Sequence, residues 1–121
     1  MIVFVSGHLR ITAEEFAQHY QPRLEFHIAN GDVFVLGEAP GVDSLAQQFL
    51  KSRGASVTVF HMFEKPRFNA GFPTKGGYQS DDERDAAMTA ASDADVAWVR
   101  PGREKSGTAR NLERRPAHKR A

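Results

Sequence analysis

Four short apolar runs rich in β-branched residues punctuate the chain: IVFV (2–5), VFVL (33–36), VTVF (57–60) and VAWV (96–99). Their near-continuous apolar character predicts strands buried on both faces, as in a parallel sheet. Between them the apolar positions switch to helical spacing. Phe16, Tyr20, Leu24 and Ile28 recur every four residues after Thr12, which forms a capping box with Glu15. Pro22 should bend or split this helix, and Gly31 should end it. A second helix is predicted from about Val42 to Arg53, with Val42, Leu45, Ala46, Phe49 and Leu50 facing the sheet and Gly54 at its end. A third begins at SDDE (80–83), another capping box. A fourth runs from near Ser106 through TARNLERR to Pro116.

Strand and helix alternating in this way specify an α/β, Rossmann-like three-layer fold, with a mainly parallel sheet of at least four strands in the order 3-2-1-4. Residues 1–121 make one domain with a basic C-terminal tail from about residue 113. The stretch 62–79 is left as a long connection, a length that suggests a functional lid. It carries Arg67, Lys75, Phe68, Asn69, Phe72 and Tyr78, cations and aromatics suited to phosphate and base.

Composition narrows the class. With 40% hydrophobic and 26% charged residues the chain has a soluble, globular profile, and no run is long enough to cross a membrane. The start MIVFVSGH lacks a basic n-region and reads as a first strand, not a signal peptide. The absence of cysteine excludes disulfides and thiolate chemistry and fits a cytoplasmic protein. Net charge is only +1, yet residues 100–121 hold eight Lys/Arg against two Glu, so weak nucleic-acid contact through that end is an expectation to test. The five histidines lack the H-x-x-x-H or H-E-x-x-H spacing of a metal site, and no cofactor is called for. His8 and His61 lie at strand ends, where they can line a pocket.

In such a sheet, ligands bind at the carboxyl ends of the strands near the reversal of strand order. Three loops should meet there. SGHLR (6–10) offers the Ser6 hydroxyl and close backbone approach at Gly7. GEAPGVDS (37–44) places Gly37 and Gly41 before a helix N-terminus, a plausible anion cradle, with Asp43 suited to a ribose hydroxyl or to stabilising the first turn. RPGREKSGTARN (100–111) puts Gly102, Ser106, Gly107 and Thr108 where the next helix begins. Glycine inside a first turn costs about 1 kcal/mol against alanine, so Gly107 points to a bound phosphate. Arg84 stands in the first turn of the third helix, at the end of the 62–79 connection, and adds a cation to these loops.

The segment ERDAAMTAASDADVAWVRPGREKSGTARN resembles the signature of the "lonely guy" cytokinin phosphoribohydrolases, M-x-E-R-K-x-x-M followed by P-G-G-x-G-T-x-x-E. Glu83, Arg84 and Met88 match the first part; Pro101, Gly102, Gly107 and Thr108 match the second across a longer loop. GEAPGVDSLAQ is similar to a glycine motif of the wider SLOG superfamily, which includes DprA. The resemblance covers about residues 1–112 and implies a nucleotide-binding fold and a homodimer. It also implies that Arg84 contacts the nucleotide. In the resembling enzymes the closing glutamate assists cleavage of the N-glycosidic bond, but here Asn111 stands at its position. Arg84 and Asn111 are therefore the candidate catalytic positions. Binding of a nucleotide or nucleotide-derived ligand without that chemistry is the expected function. The alternatives are a nucleotide N-glycosidase using another carboxylate, Glu38 or Asp43, and a single-stranded nucleic-acid-binding module.

Overall fold

The computed structural model describes the backbone of residues 1–120 and the side chains of residues 1–115. The elements run β1 (Ile2–Val5), α1 (Ala13–His19), α2 (Gln21–Ala29), β2 (Val33–Leu36), α3 (Val42–Ser52), β3 (Val57–Met62), β4 (Thr74–Tyr78), α4 (Asp81–Ala91), β5 (Ala94–Val96) and α5 (Gly107–Arg120). All the strands are parallel, in the order β4-β3-β2-β1-β5. Without β4 this is the 3-2-1-4 order expected from the apolar runs. The fold is Rossmann-like α/β.

Residue alternation explains why the strands look uniformly apolar. Val3, Val5, Phe34, Leu36, Val57 and Val59 pack with Phe16, Leu24, Val42 and Leu50 of α1–α3 and with Tyr20 at the junction of α1 and α2. Phe4, Val35 and Phe60 belong to a second cluster with Met88 of α4. Each such side chain, fully buried, contributes on the order of 1.5–3 kcal/mol, so both faces are driven inward. Pro22 divides the first helical stretch as expected: it sits in the first turn of α2, where its missing N–H has no helical partner to lose. Gly31 and Gly54 take positive φ, 75° and 68°, just beyond the helices they follow.

Three expectations need correction. Residues 62–79 are not a structureless lid, because Thr74–Tyr78 adds a parallel edge strand to β3. Its sequence, TKGGY, has too much glycine to announce a strand, but Gly76 is required there: a Cβ would stand 2.1 Å from the His61 ring. The rest of the segment is pinned by Gln47 of α3, which donates to the Phe68 carbonyl (3.2 Å) and accepts from the Ala70 N–H (2.9 Å). The last strand covers Ala94–Val96 and not 96–99, since Val3, Phe4 and Val5 pair with residues 94–96. Finally, α5 continues past Pro116, so the basic end begins as helix. Within it Arg115 is held by Asp95, at 3.1 and 3.0 Å, and donates to the Ser92 carbonyl at 2.6 Å. The side chains of residues 116–121, including His118, Lys119 and Arg120, lie outside the described residues.

Candidate functional site at the strand-order reversal

From β1 the chain steps outward through β2, β3 and β4, then returns to β5 on the other side of β1. The order reverses between β1 and β5, and the loops at their carboxyl ends diverge there. A cleft of about 290 Å³ occupies this place. Ser6, Gly7 and His8 line it from the loop after β1, Gly37 and Ala39 from the loop after β2, and Asp43 from α3. Asp81, Asp82, Arg84, Asp85 and Met88 of α4 form one wall. Ser106, Gly107, Thr108 and Asn111 form another, with Arg67, Arg103 and Arg110 also lining the cleft. A larger depression of about 660 Å³ lies along Ile2, Val33, Val57 and Phe72, with Lys51 its only charged side chain. Size alone does not mark the functional place; convergent polar groups do.

Tyr20 ties the two central loops together. Its hydroxyl donates to the Ser6 carbonyl (2.7 Å) and accepts from the Trp98 N–H (3.0 Å). Burial pushes this phenol up to about 12, so it remains a donor throughout the ordinary pH range. Gly7 is required by the same packing, because a Cβ there would meet Val42 Cγ2 at 2.3 Å and the Tyr20 hydroxyl at 2.4 Å. His8 Nε2 accepts the Arg100 N–H at 2.9 Å. Burial first, then the charges of Arg100 and Arg103, lowers the His8 pKa, consistent with a neutral acceptor ring.

The glycine loop before α3 is filled by the protein itself. Gly41, at φ 84°, lets the His8 and Leu9 backbone approach so closely that a Cβ would stand 2.3 Å from the His8 carbonyl oxygen. That carbonyl takes the Val42 N–H at 3.1 Å, so the first amide of α3 is already used. Asp43 turns back on the loop and accepts from the Ala39 N–H at 3.2 Å. Burial pushes its carboxyl up to about 7, against the opposing pull of the Ala39 N–H and of Arg84.

Arg84 is the centre of the cleft's charge. It is 5% exposed. Nε and Nη2 both donate to Asp85 Oδ1, at 3.2 and 3.1 Å, and Nη2 lies 3.1 Å from Asp81 Oδ1. Burial opposes its charge, but Asp85, Asp43 and Asp81 outweigh that and raise its pKa. Nη1 has no hydrogen-bond partner among the described residues; Glu38 Oε1 is 3.8 Å away. Glu38 itself is committed to Arg67 and to the Met62 N–H. The Ser6 hydroxyl is buried and unpartnered in the same way. An unmet buried donor costs about 1–3 kcal/mol, so two in one cleft mark a place built for a polar guest.

The start of α5 supplies the third element. Pro101 and Gly102 form a tight turn closed by the Arg103 N–H on the Arg100 carbonyl (2.9 Å), with Gly102 at φ 90°. Ser106 then caps the helix: its Oγ accepts from the Ala109 N–H at 3.2 Å, and its carbonyl from the Arg110 N–H at 3.1 Å. The cap leaves the Gly107 and Thr108 amides without intrahelical partners, at the positive end of the helix dipole.

Of the residues expected from sequence, Ser6, Gly7, Gly37, Asp43, Arg84, Ser106, Gly107, Thr108 and Asn111 therefore share one cleft. Gly41 and Gly102 stand outside it and serve the turns that shape it. Of the cations and aromatics of the 62–79 stretch, only Arg67 lines the cleft; Phe72 packs on the core, and Tyr78 stacks on Phe60 at 5.9 Å. Sequence reasoning missed Asp85. The signal was there, since Asp81, Arg84, Asp85 and Met88 follow the i, i+3, i+4, i+7 spacing of a single helix stripe. No family model, curated protein or solved structure matches this chain.

Proposed function

We propose that this cleft binds a phosphorylated nucleotide or nucleotide-derived molecule, in the manner of the SLOG proteins that the sequence resembles. The phosphate sits at the Gly107 and Thr108 amides, with Ser6 Oγ and Arg84 Nη1 donating to the ligand. The observation that carries this reading is the pair of buried, unpartnered donors on Ser6 and Arg84, two residues that line the same cleft as the open end of α5. A glutamate-assisted cleavage is not part of it, because residue 111 is asparagine. The test is calorimetric titration with the 5′-monophosphates of the common nucleosides. Binding is expected for wild type and at least tenfold weaker for Arg84→Gln, as suits the loss of a charge-assisted hydrogen bond. Equal binding by both proteins would remove Arg84 from the site.

A second reading, a nucleotide N-glycosidase, is favoured by one observation. Asp43, its carboxyl pushed up to about 7, and Asp85 line one cleft, supplying a proton donor and a second carboxylate. Release of free base from a nucleoside monophosphate separates the two readings. From the same resemblance we take the protein to be a homodimer, and from its lack of cysteine a cytoplasmic one, which sedimentation and fractionation check. Among the described residues no helix is long and apolar enough to cross a membrane.

A further inference from the structure

Phe63, alone among the described residues other than glycine, takes a positive φ, 55°. A bulky side chain enters the left-handed region only against steric resistance, and backbone outliers of this kind concentrate at ligand sites. The backbone here is held from both sides. Its N–H donates to the Tyr78 carbonyl at 2.9 Å, and its carbonyl accepts from the Gly77 N–H at 2.8 Å, so Phe63 is clamped across the end of the β3–β4 ladder. The ring has no such use inside the fold. It is 57% exposed, belongs to neither apolar cluster and stacks on no other ring among the described residues. Glycine would make the same turn without strain. What phenylalanine adds is an exposed aromatic face.

That face lines a depression of about 600 Å³ with Glu64, Lys65, Gly77 and Gln79, at the carboxyl end of β3. Both of its sides lead to the cleft. Beyond Lys65 the chain reaches Arg67, and beyond Gln79 it reaches Asp81, and these two residues line the cleft. Arg67 Nη2 and Asp81 Oδ1 lie 3.7 Å apart, with side chains 48% and 65% exposed, a pair held weakly enough to part for a ligand. Immediately before Phe63, the Met62 N–H donates to Glu38 Oε1 at 3.2 Å, and that oxygen is 3.8 Å from Arg84 Nη1. The ends of β1 and β3 are two strand spacings apart, about 10 Å, a span that a nucleotide covers between phosphate and base.

Resting on the nucleotide-binding reading, we propose that Phe63 is the platform on which the base of the bound nucleotide stacks. The ligand then runs along the carboxyl edge of the sheet, from its phosphate at the start of α5 to its base at the end of β3. Stacking accepts any base, because each has a π-face, so Phe63 selects for an aromatic base and not for its identity.

The experiment titrates the full chain calorimetrically with the 5′-monophosphates of the common nucleosides and with ribose 5-phosphate, which lacks the base. Wild type should bind its best nucleotide about five- to a hundredfold more tightly than ribose 5-phosphate, the range for stacking one base on one aromatic ring. Phe63→Gly should abolish that advantage and leave ribose 5-phosphate binding unchanged. It should not lower the unfolding midpoint, since glycine accepts the left-handed backbone. Phe63→Trp should keep the advantage and add an indole whose fluorescence the nucleotide quenches and ribose 5-phosphate does not, measured against wild type, in which Trp98 is the sole tryptophan. That readout stands even where Phe63→Gly fails to fold. Equal binding of nucleotide and ribose 5-phosphate by wild type, a retained advantage in Phe63→Gly, or an unquenched indole in nucleotide-bound Phe63→Trp would each overturn the platform and leave phosphate binding standing. If wild type binds none of the phosphorylated compounds, the nucleotide-binding reading falls and the platform with it.

Discussion

Gly37 lies against the guanidinium of Arg84: a Cβ at residue 37 would stand 3.3 Å from Arg84 Cζ. The same Cβ would meet the Asp43 carboxyl oxygen at 2.7 Å. Gly37→Ala must therefore displace Asp43, Arg84 or both, although the residue has no positive φ to strain it. Overpacking of this kind costs about 1–3 kcal/mol. Denaturant unfolding should show a lower midpoint, and nucleotide titration a weaker complex. An unchanged midpoint with unchanged binding would mean that the Arg84 side chain is not held where it is described.

Stability should fall as pH rises toward neutrality, because of Asp43. Its carboxyl has an ordinary value of 3.8 and is pushed up to about 7 in the fold, chiefly by burial. Below about pH 4 native and unfolded chains both hold the proton. Between about pH 4 and 7 only the native chain keeps it, so stability declines with rising pH and levels off above 7. A shift of this size corresponds to about 4 kcal/mol. Asp43→Asn removes the titration, so the variant should gain on wild type across that window. Parallel stability–pH curves for the two proteins would contradict the assignment.

Arg115 is half-buried against Asp95 and does not belong to a solvated tail. Its side chain is 11% exposed and that of Asp95 7% exposed, and the two exchange a paired contact at 3.1 and 3.0 Å. Removing one partner of a buried pair costs about 3–5 kcal/mol. Arg115→Ala should destabilise the fold by that order, whereas Glu113→Ala, at an exposed position of the same helix, should have a far smaller effect. Comparable losses from both changes would disprove the distinction.

Most of the sheet was readable from the sequence because its strands are buried on both faces, which makes VFVL apolar at every position and VTVF nearly so. β4 was not, since an edge strand of exposed Thr74 and Lys75 with two glycines carries neither pattern nor propensity. The cleft was legible through its glycines: Gly7 and Gly37, where a Cβ would collide with neighbours, line it, and so does Gly107, where nothing stands closer than Arg110 at 3.6 Å. Glycine alone did not separate lining from scaffolding, however. Gly41 and Gly102 were flagged by the same rule and shape turns outside the cleft. Asp43 illustrates a different limit: a first-turn carboxylate is common on helices, and only the fold reveals that this one is buried against Arg84. Asp85 was hidden by its neighbour, Arg84, whose matching motif drew attention to a single residue of a four-residue stripe.

Wild-type protein should release no free base from nucleoside monophosphates at enzyme-like rates of about 1 per second. Asn111→Glu would set a second carboxylate beside Asp85, where like charges and burial both resist ionisation. The variant should accordingly be less stable near pH 8 than near pH 5, relative to wild type. Base release by wild type, abolished in Asp43→Asn, would replace the binding account with the glycosidase reading.

Thermal unfolding with and without ligand tests the central claim most directly. A nucleoside 5′-monophosphate at about 100 times its Kd should stabilise the protein by about 2.7 kcal/mol, raising Tm by about 10 °C in a domain of this size. The matching nucleoside, lacking the phosphate that Gly107, Thr108, Ser6 and Arg84 await, should leave Tm unchanged. If nucleoside and nucleotide act alike, or no phosphorylated nucleotide moves the transition, the cleft between β1 and β5 does not bind the class of ligand assigned to it.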